Sequence, residues 1–295
     1  MIKKTIVTGM VALMSLAAMA LPAKRGLTNV ITLNDGTKVE VSLVGDEFMH
    51  YWQDANGNKY VPTGEANVFK LADASAVSNL TTRALARKAK AHARRAARRN
   101  LSNATDVFQG KKKGLVILVE FTDVKFKNSD SQTLFNRIAN EAGYNEGYFQ
   151  GSVKDYFLAQ SRGQFELDFD VVGPVKLSHN MKYYGGNDEN GYDLHPEEMI
   201  VEACKGIDSK VDFSKYDWDG DGEVDQVYVI YAGYGEADTG NENTIWPHKY
   251  QLSGASMALT LDGVKVDTYA CSSELNGAGE VGGIGTMCHE FSHCM

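Results

Sequence analysis

A chain of 295 residues is long enough for one large domain or for two smaller ones, each with its own core. The 43% apolar and 23% charged residues are ordinary for a soluble globular protein, and no run after the N-terminus is apolar enough to be a membrane span. The net charge of −8 is unevenly distributed, because residues 81–113 carry +10 and residues 114–295 carry −18.

The N-terminus has the parts of a secretory signal. Two lysines precede a short apolar segment from Ile6 to Leu21, and Ala18-Met19-Ala20 is a small-x-small cleavage site. We therefore predict a signal peptide over residues 1–23, with a retained membrane anchor as the alternative. The mature protein is expected to be secreted, periplasmic or at the cell surface, and free of the membrane after cleavage.

Residues 24–80 have the pattern of a small β-rich unit. Apolar and polar residues alternate around Asn34-Asp35-Gly36, which predicts a hairpin, and Asn56-Gly57 predicts a second turn. His50 and Trp52 would share one face of a strand. We interpret both as packing residues.

Residues 81–112 form a basic segment rich in Ala and Arg. Its propensity favours a helix, but it has no apolar stripe, so we predict an exposed or docked helix that links two units. A nucleic-acid partner is not expected, because the protein is exported and no aromatic residues are interleaved with the charges. The Arg-Arg pairs instead favour a processing protease as the partner of this linker.

Residues 113–295 are predicted to form an α+β layered domain, because helical and strand patterns are mixed along them. The predicted elements are a buried strand at 114–121, a helix at 131–142, a helix from Ser152 (N-cap) to Ser161, a helix with Pro196 in its first turn and Gly206 past its end, a buried strand at VDQVYVIYAGYG, and a final helix from Thr286. The four cysteines (Cys204, Cys271, Cys288 and Cys294) lie in this region. The sequence is compatible both with disulfides between these cysteines and with free thiols.

The final helix carries the pattern H-E-x-x-H as His289, Glu290 and His293. Histidines at i and i+4 share one helical face, so both can reach one Zn²⁺ ion. Glu290 is then the candidate general acid/base, because it can take a proton from the metal-activated water and pass it to the leaving amine. The alternative is a helix with two unrelated surface histidines, but the apolar flanks and predicted export favour the metal site.

Two histidines do not complete a catalytic zinc site, which usually has three protein ligands and a water. Of the other histidines, His248 in IWPHKY is the one considered as a further zinc ligand, although a structural role is expected for it. The third ligand is expected beyond residue 295. The chain as given would then be catalytically incomplete.

An acidic loop, YDWDGDGEVDQVYV, resembles a calcium-binding loop in its spacing. The candidate Ca²⁺ ligands are Asp217, Asp219, Asp221, Glu223 through its carbonyl, and Asp225. The loop departs from the pattern at Tyr228, where a bidentate Glu is usual. The alternative is a solvated acidic turn before a core strand.

The stretches GSVKDYFLAQSRGQFELDFDVVGPV, YDWDGDGEVDQVYVIYAGYGEA, IWPHKY and IGTMCHEFSHCM span most of residues 113–295. Together they resemble the immune-inhibitor-A-like family of secreted bacterial metalloproteases. The resemblance implies a zincin-like catalytic domain, endopeptidase activity on proteins or peptides, zinc, structural calcium and an N-terminal propeptide. By position it implies that His289 and His293 are zinc ligands and that Glu290 is the catalytic acid/base.

A propeptide would make the chain an inactive precursor. It cannot act through a thiol, because no cysteine precedes Cys204, so we expect the basic segment to dock on the acidic domain and shield the cleft. Two other functions remain: a catalytically incomplete fragment or pseudo-enzyme that lacks a third zinc ligand, and a calcium-stabilised binding module.

Overall fold

The computed structural model describes residues 21–65, 67–101 and 107–295. Most of the predicted signal peptide lies outside this range. Within the described part, no helix combines the length and the hydrophobicity that crossing a membrane requires.

The N-terminal part is a small closed barrel followed by one long helix. Its elements are β1 (Thr28–Leu33), β2 (Lys38–Asp46), β3 (Met49–Gln53), β4 (Lys59–Pro62), β5 (Val68–Leu71) and α1 (Ala74–Leu101). Both predicted hairpin turns are present, and Gly36 and Gly57 each adopt the positive φ that such turns require. The basic helix α1 begins seven residues before the segment predicted for it.

The larger part contains the remaining strands and helices. They are β6 (Gly110–Glu120), α2 (Ser131–Asn140), α3 (Val153–Gln160), β7 (Phe165–Lys176), α4 (Met181–Gly185), α5 (Pro196–Ile207), β8 (Val227–Tyr234), α6 (Glu236–Thr239), β9 (His248–Gln251), β10 (Leu259–Leu261), β11 (Val264–Val266), β12 (Thr268–Leu275) and α7 (Ile284–Cys294).

A five-stranded sheet with the order β7-β6-β8-β12-β9 is the middle layer of this part. All neighbouring strands are parallel except β9, which pairs antiparallel with β12 at the edge. Because successive side chains of a strand point to opposite faces, Leu115 and Ile117 pack with α5, whereas Val116 and Leu118 pack with α2 and α7. The result is the predicted α+β layered domain.

Two local predictions have different outcomes. Ser152 caps α3 as expected, and it forms a capping box with Asp155. The expectation that α5 would end before Gly206 is wrong, because the helix continues to Ile207. A Cβ at Gly206 would lie 2.5 Å from Cγ1 of Val175, so this glycine allows α5 to approach β7 closely.

The N-terminal part contacts the larger part at several points. The Leu21 carbonyl accepts a hydrogen bond from Nε1 of Trp246, and the Phe48 carbonyl accepts one from the Tyr192 hydroxyl at 2.9 Å. From α1, the Arg87 guanidinium lies 4.0 Å from the centre of the Tyr192 ring. All four cysteines are free thiols.

Candidate active site

Helix α7 presents the H-E-x-x-H pattern next to the sheet. It begins after Gly283, and its apolar side chains Met287 and Phe291 are buried in the core between the sheet and helices α2 and α3. Burial of that face fixes the rotation of the helix about its axis. As a consequence, His289 and His293 lie on one side of it, one turn apart.

The two imidazoles converge on one point. Nε2 of His289 lies 3.0 Å from Nε2 of His293, and the ring planes are 89° apart. Two nitrogens bound to one tetrahedral zinc at 2.0–2.1 Å would lie about 3.3 Å apart. The pair therefore fits a shared metal ion with only a small adjustment.

Glu290 is buried beside the two histidines. Its side chain is 0% exposed, and its Oε1 lies 4.0 Å from Nε2 of His289. Neither carboxylate oxygen has a hydrogen-bond partner among the described residues. Burial raises the pKa of Glu290 well above its ordinary value, and the charge of Glu47 raises it further. A buried carboxylate without partners is costly, and a neighbouring cation is one way to offset that cost.

Glu47 belongs to the turn between β2 and β3 of the N-terminal barrel. It is 9% exposed, and burial raises its pKa to about 8. The charge of Glu47 raises the pKa of Glu290, so this turn of the barrel acts electrostatically on the H-E-x-x-H pattern. The described part of the basic helix contacts Asn190, Tyr192 and Tyr250 instead.

His248 is not placed as a ligand of the motif. It is buried, its Nδ1 lies 2.7 Å from the Trp246 carbonyl, and its Nε2 lies 3.0 Å from the Tyr269 hydroxyl. Burial lowers its pKa to about 4, so it is neutral at physiological pH. Within the described ranges, no third His, Cys, Asp or Glu forms a compact ligand group with His289 and His293.

The acidic loop brings together three of its four predicted aspartate ligands. Carboxylate oxygens of Asp217, Asp219 and Asp225 lie within 4.8 Å of one another. The fourth, Asp221, accepts the backbone N–H of Glu223 at 2.8 Å. Glu223 is predicted to bind through its carbonyl, so the pairing of its carboxylate with Nζ of Lys265 at 3.2 Å leaves that prediction untested. Asp217 also accepts backbone N–H groups within the loop, including that of Gly222 at 2.9 Å.

One feature that sequence reasoning missed is the environment of His50. Its ring stacks on Trp246 at 4.3 Å between ring centres, and its Nε2 lies 3.5 Å from Oε1 of Glu236. His50 is thus more than a packing residue of the barrel, because it forms an ion pair with the larger part. Alternation along β3 identified the face, but nothing in the sequence identified Glu236 as its partner.

Comparison with known proteins places the chain in a family. The family profile described as "Immune inhibitor A peptidase M6, catalytic domain" matches residues 102–295. "Immune inhibitor A" of Bacillus thuringiensis subsp. alesti is 25% identical over 221 residues, which cover 62% of this chain and 32% of that protein. This chain thus spans about a third of the length of that relative. Because the profile covers most of it, the chain belongs to the immune inhibitor A (M6) family of metallopeptidases.

Proposed function

We propose that the chain is the precursor of a secreted, zinc-dependent endopeptidase, with His289 and His293 as zinc ligands and Glu290 as general acid/base. The observation that carries the proposal is a buried carboxylate, with no hydrogen-bond partner in the described part of the chain, beside two converging imidazoles on the same helix. Membership of a metallopeptidase family supports it. Export through residues 1–23 is part of the same proposal.

The chain's own residues would divide the work as follows. His289 and His293 hold the ion through Nε2. When bound, zinc supplies a Lewis acid that polarises the peptide carbonyl and acidifies water. Glu290 takes the proton of the attacking water at its carboxylate and delivers it to the leaving amine, and its burial keeps bulk water from competing for that proton.

Substitutions in the full-length protein test these roles separately. Glu290→Ala should keep bound zinc and lose casein cleavage, whereas His289→Ala should lose both. His195→Ala is the matched control, because His195 is partly exposed and its ring contacts Glu198 and Tyr183 rather than the motif. Retained cleavage in Glu290→Ala would remove this residue from its role, and zinc retained in His289→Ala would remove the imidazole as a ligand.

A second candidate is a pseudo-enzyme that binds metal weakly or not at all. The observation in its favour is that the described residues bring no third ligand to the two histidines. Zinc content distinguishes the candidates, because an equimolar, tightly bound ion in the full-length protein requires a complete site. A protein that neither retains zinc nor cleaves casein would favour the pseudo-enzyme.

We also propose that the barrel and helix α1 act as a propeptide that covers the cleft. The effect of the Glu47 charge on Glu290 and the contacts of Arg87 with Tyr192 and Tyr250 support this proposal. Nicking the basic segment with trypsin should raise activity, and high salt should raise the activity of the intact protein by weakening the charged contacts. Equal activity in nicked and intact protein at both salt concentrations would refute the covering role.

For the acidic loop we propose a structural Ca²⁺ site at Asp217, Asp219 and Asp225. Three carboxylates this close repel one another unless a cation or protons neutralise them. Calcium at 100 times its dissociation constant should stabilise the fold by about 2.7 kcal/mol. Asp219→Asn should remove most of that gain in a thermal melt, and equal gains in both proteins would exclude the site.

A further inference from the structure

The pocket that receives His50 is built by the larger part of the molecule. Trp246 forms its flat wall, and Glu236 forms its charged end. Oε1 of Glu236 accepts a hydrogen bond from Asn187 at 2.8 Å, which fixes the carboxylate. Its Oε2 is buried without a hydrogen-bond partner among the described residues. The pocket thus has an aromatic face and a fixed carboxylate that can accept a further hydrogen bond.

The surroundings of Glu236 are rich in acids. Burial raises the pKa of Asp193 well above its usual value and the pKa of Glu242 to about 7. The charge of Glu236 is the second cause in both cases. His248 contacts Asp193 at 3.9 Å but is neutral, so it does not balance these charges. The cationic groups that face the cluster, His50 and Arg87, both come from the N-terminal part. The larger part alone therefore presents an acidic pocket.

The pocket is linked to the candidate catalytic residues through β9, because α7 contacts this strand, which begins two residues after Trp246. His50 and Trp246 also line an adjoining cavity of about 450 Å³, together with Glu47 and Lys249 among others. Both Glu47 and Lys249 act electrostatically on Glu290. Glu47 and His50 are three residues apart, a separation of at most about 10 Å along the chain. A peptide side chain in the pocket would thus belong to a residue near the cleaved bond.

We propose that Glu236, Asp193 and Trp246 form a specificity subsite for a planar cationic side chain of the substrate, arginine in particular, and that His50 occupies this subsite in the precursor. Arginine fits best because its guanidinium is planar, always charged, and able both to stack on an indole and to donate hydrogen bonds to a carboxylate. The inference rests on the proposed peptidase function, because it names the substrate preference of that site.

Cleavage-site profiling tests the preference. The full-length protein is nicked with trypsin, the trypsin is inactivated, and the products from a peptide library are mapped by mass spectrometry, with identically treated Glu290→Ala protein as the blank. Arginine should be enriched at one fixed position by about tenfold over leucine, and Glu236→Gln should abolish that enrichment. Glu280→Gln, a change at an exposed acid, should leave it intact. A profile without arginine enrichment, or one that Glu236→Gln does not change, would overturn the subsite.

A second measurement needs no catalysis, so it separates failure of the subsite from failure of the peptidase proposal. Hydrogen exchange of residues 236–250 is followed in the intact protein. His50→Ala should exchange about tenfold faster than wild type, and His50→Arg should resemble wild type. When Glu236→Gln is added to wild type, His50→Ala and His50→Arg, residues 236–250 should exchange at similar rates in all three proteins. If His50→Ala does not accelerate exchange, the subsite is refuted. If exchange behaves as expected while no peptide is cleaved, the pocket for a cationic side chain stands and the peptidase function fails.

Discussion

Replacing Glu290 by methionine should abolish catalysis and, in metal-free protein, make the fold more stable. The side chain is fully buried, and neither of its oxygens has a hydrogen-bond partner among the described residues. Methionine has a similar length and no polar oxygen, so the substitution removes the cost of desolvating a carboxyl group. Residues placed for function commonly carry such a cost in stability.

Glu274 supplies the matched control. It is 1% exposed, yet its carboxylate accepts backbone N–H groups from Lys127 at 2.8 Å and Gly233 at 3.0 Å. An unsatisfied buried polar group costs about 1–3 kcal/mol. Glu290→Met should therefore raise the free energy of unfolding by about that amount. Glu274→Met should lower it by at least as much, because it leaves two N–H donors unpaired.

Urea unfolding of the EDTA-treated full-length protein, followed by circular dichroism, measures both changes from the shift of the midpoint at constant slope. The two substitutions have the same chemistry and nearly the same burial, so only the hydrogen-bond partners differ. A loss of stability in Glu290→Met comparable with that in Glu274→Met would show that Glu290 has partners, and the reasoning would be wrong.

Three further predictions concern pH, packing and metal removal. The pKa of His248 is lowered to about 4, so its contribution to stability is present above its unfolded pKa of about 6.5 and is lost as pH falls towards 4, by about 3 kcal/mol. Between pH 7.5 and pH 4.5 the urea midpoint should fall less in His248→Gln than in wild type, and an equal fall in the two proteins would contradict this. Gly206→Ala should cost about 1–3 kcal/mol in the same assay, because its Cβ would lie 2.5 Å from Val175. Gly285→Ala, with open space around the new Cβ, should not destabilise, and equal losses would exclude the packing explanation. If the motif histidines bind a metal ion as proposed, removing it with EDTA should speed hydrogen exchange around Glu47, because the ion would attract this carboxylate, and unchanged exchange would argue against that attraction.

The features that could be predicted from sequence are those set by neighbours along the chain. The Ser152 cap depends on residues three positions away, and the Gly36 and Gly57 turns depend on local backbone conformation. Gly206 shows where prediction from neighbouring residues fails. Within its own segment it resembles a helix terminator, but it sits inside α5 because Val175 of β7 lies against it. That reason is a contact between distant segments, which a single sequence does not contain.

The same distinction applies to the candidate site. His289 and His293 could be paired because a helix brings positions i and i+4 together. The partnership of His50 with Glu236 depends on how the barrel packs against the larger part, and no periodicity predicts it. The uneven charge predicts that the basic segment docks on the acidic domain. It does not predict that Glu47, in a turn of the barrel, acts electrostatically on Glu290.

That acidic turn is informative because it is electrostatically unfavourable on its own. Glu47 and Glu290 are both buried, and the charge of Glu47 raises the pKa of Glu290. Lys249 lowers the pKa of Glu290 without restoring its ordinary value, so protons or a further cation would be needed to offset the remaining cost of the two carboxyl groups. A divalent ion held by His289 and His293 would convert the repulsion into attraction, and the turn would then bind most strongly to the metal-loaded site. Because coupling between two binding events is reciprocal, the covering turn would in turn strengthen retention of the metal. An acidic residue at the tip of the covering turn is therefore what a cationic site would favour, whereas a basic residue there would oppose the metal.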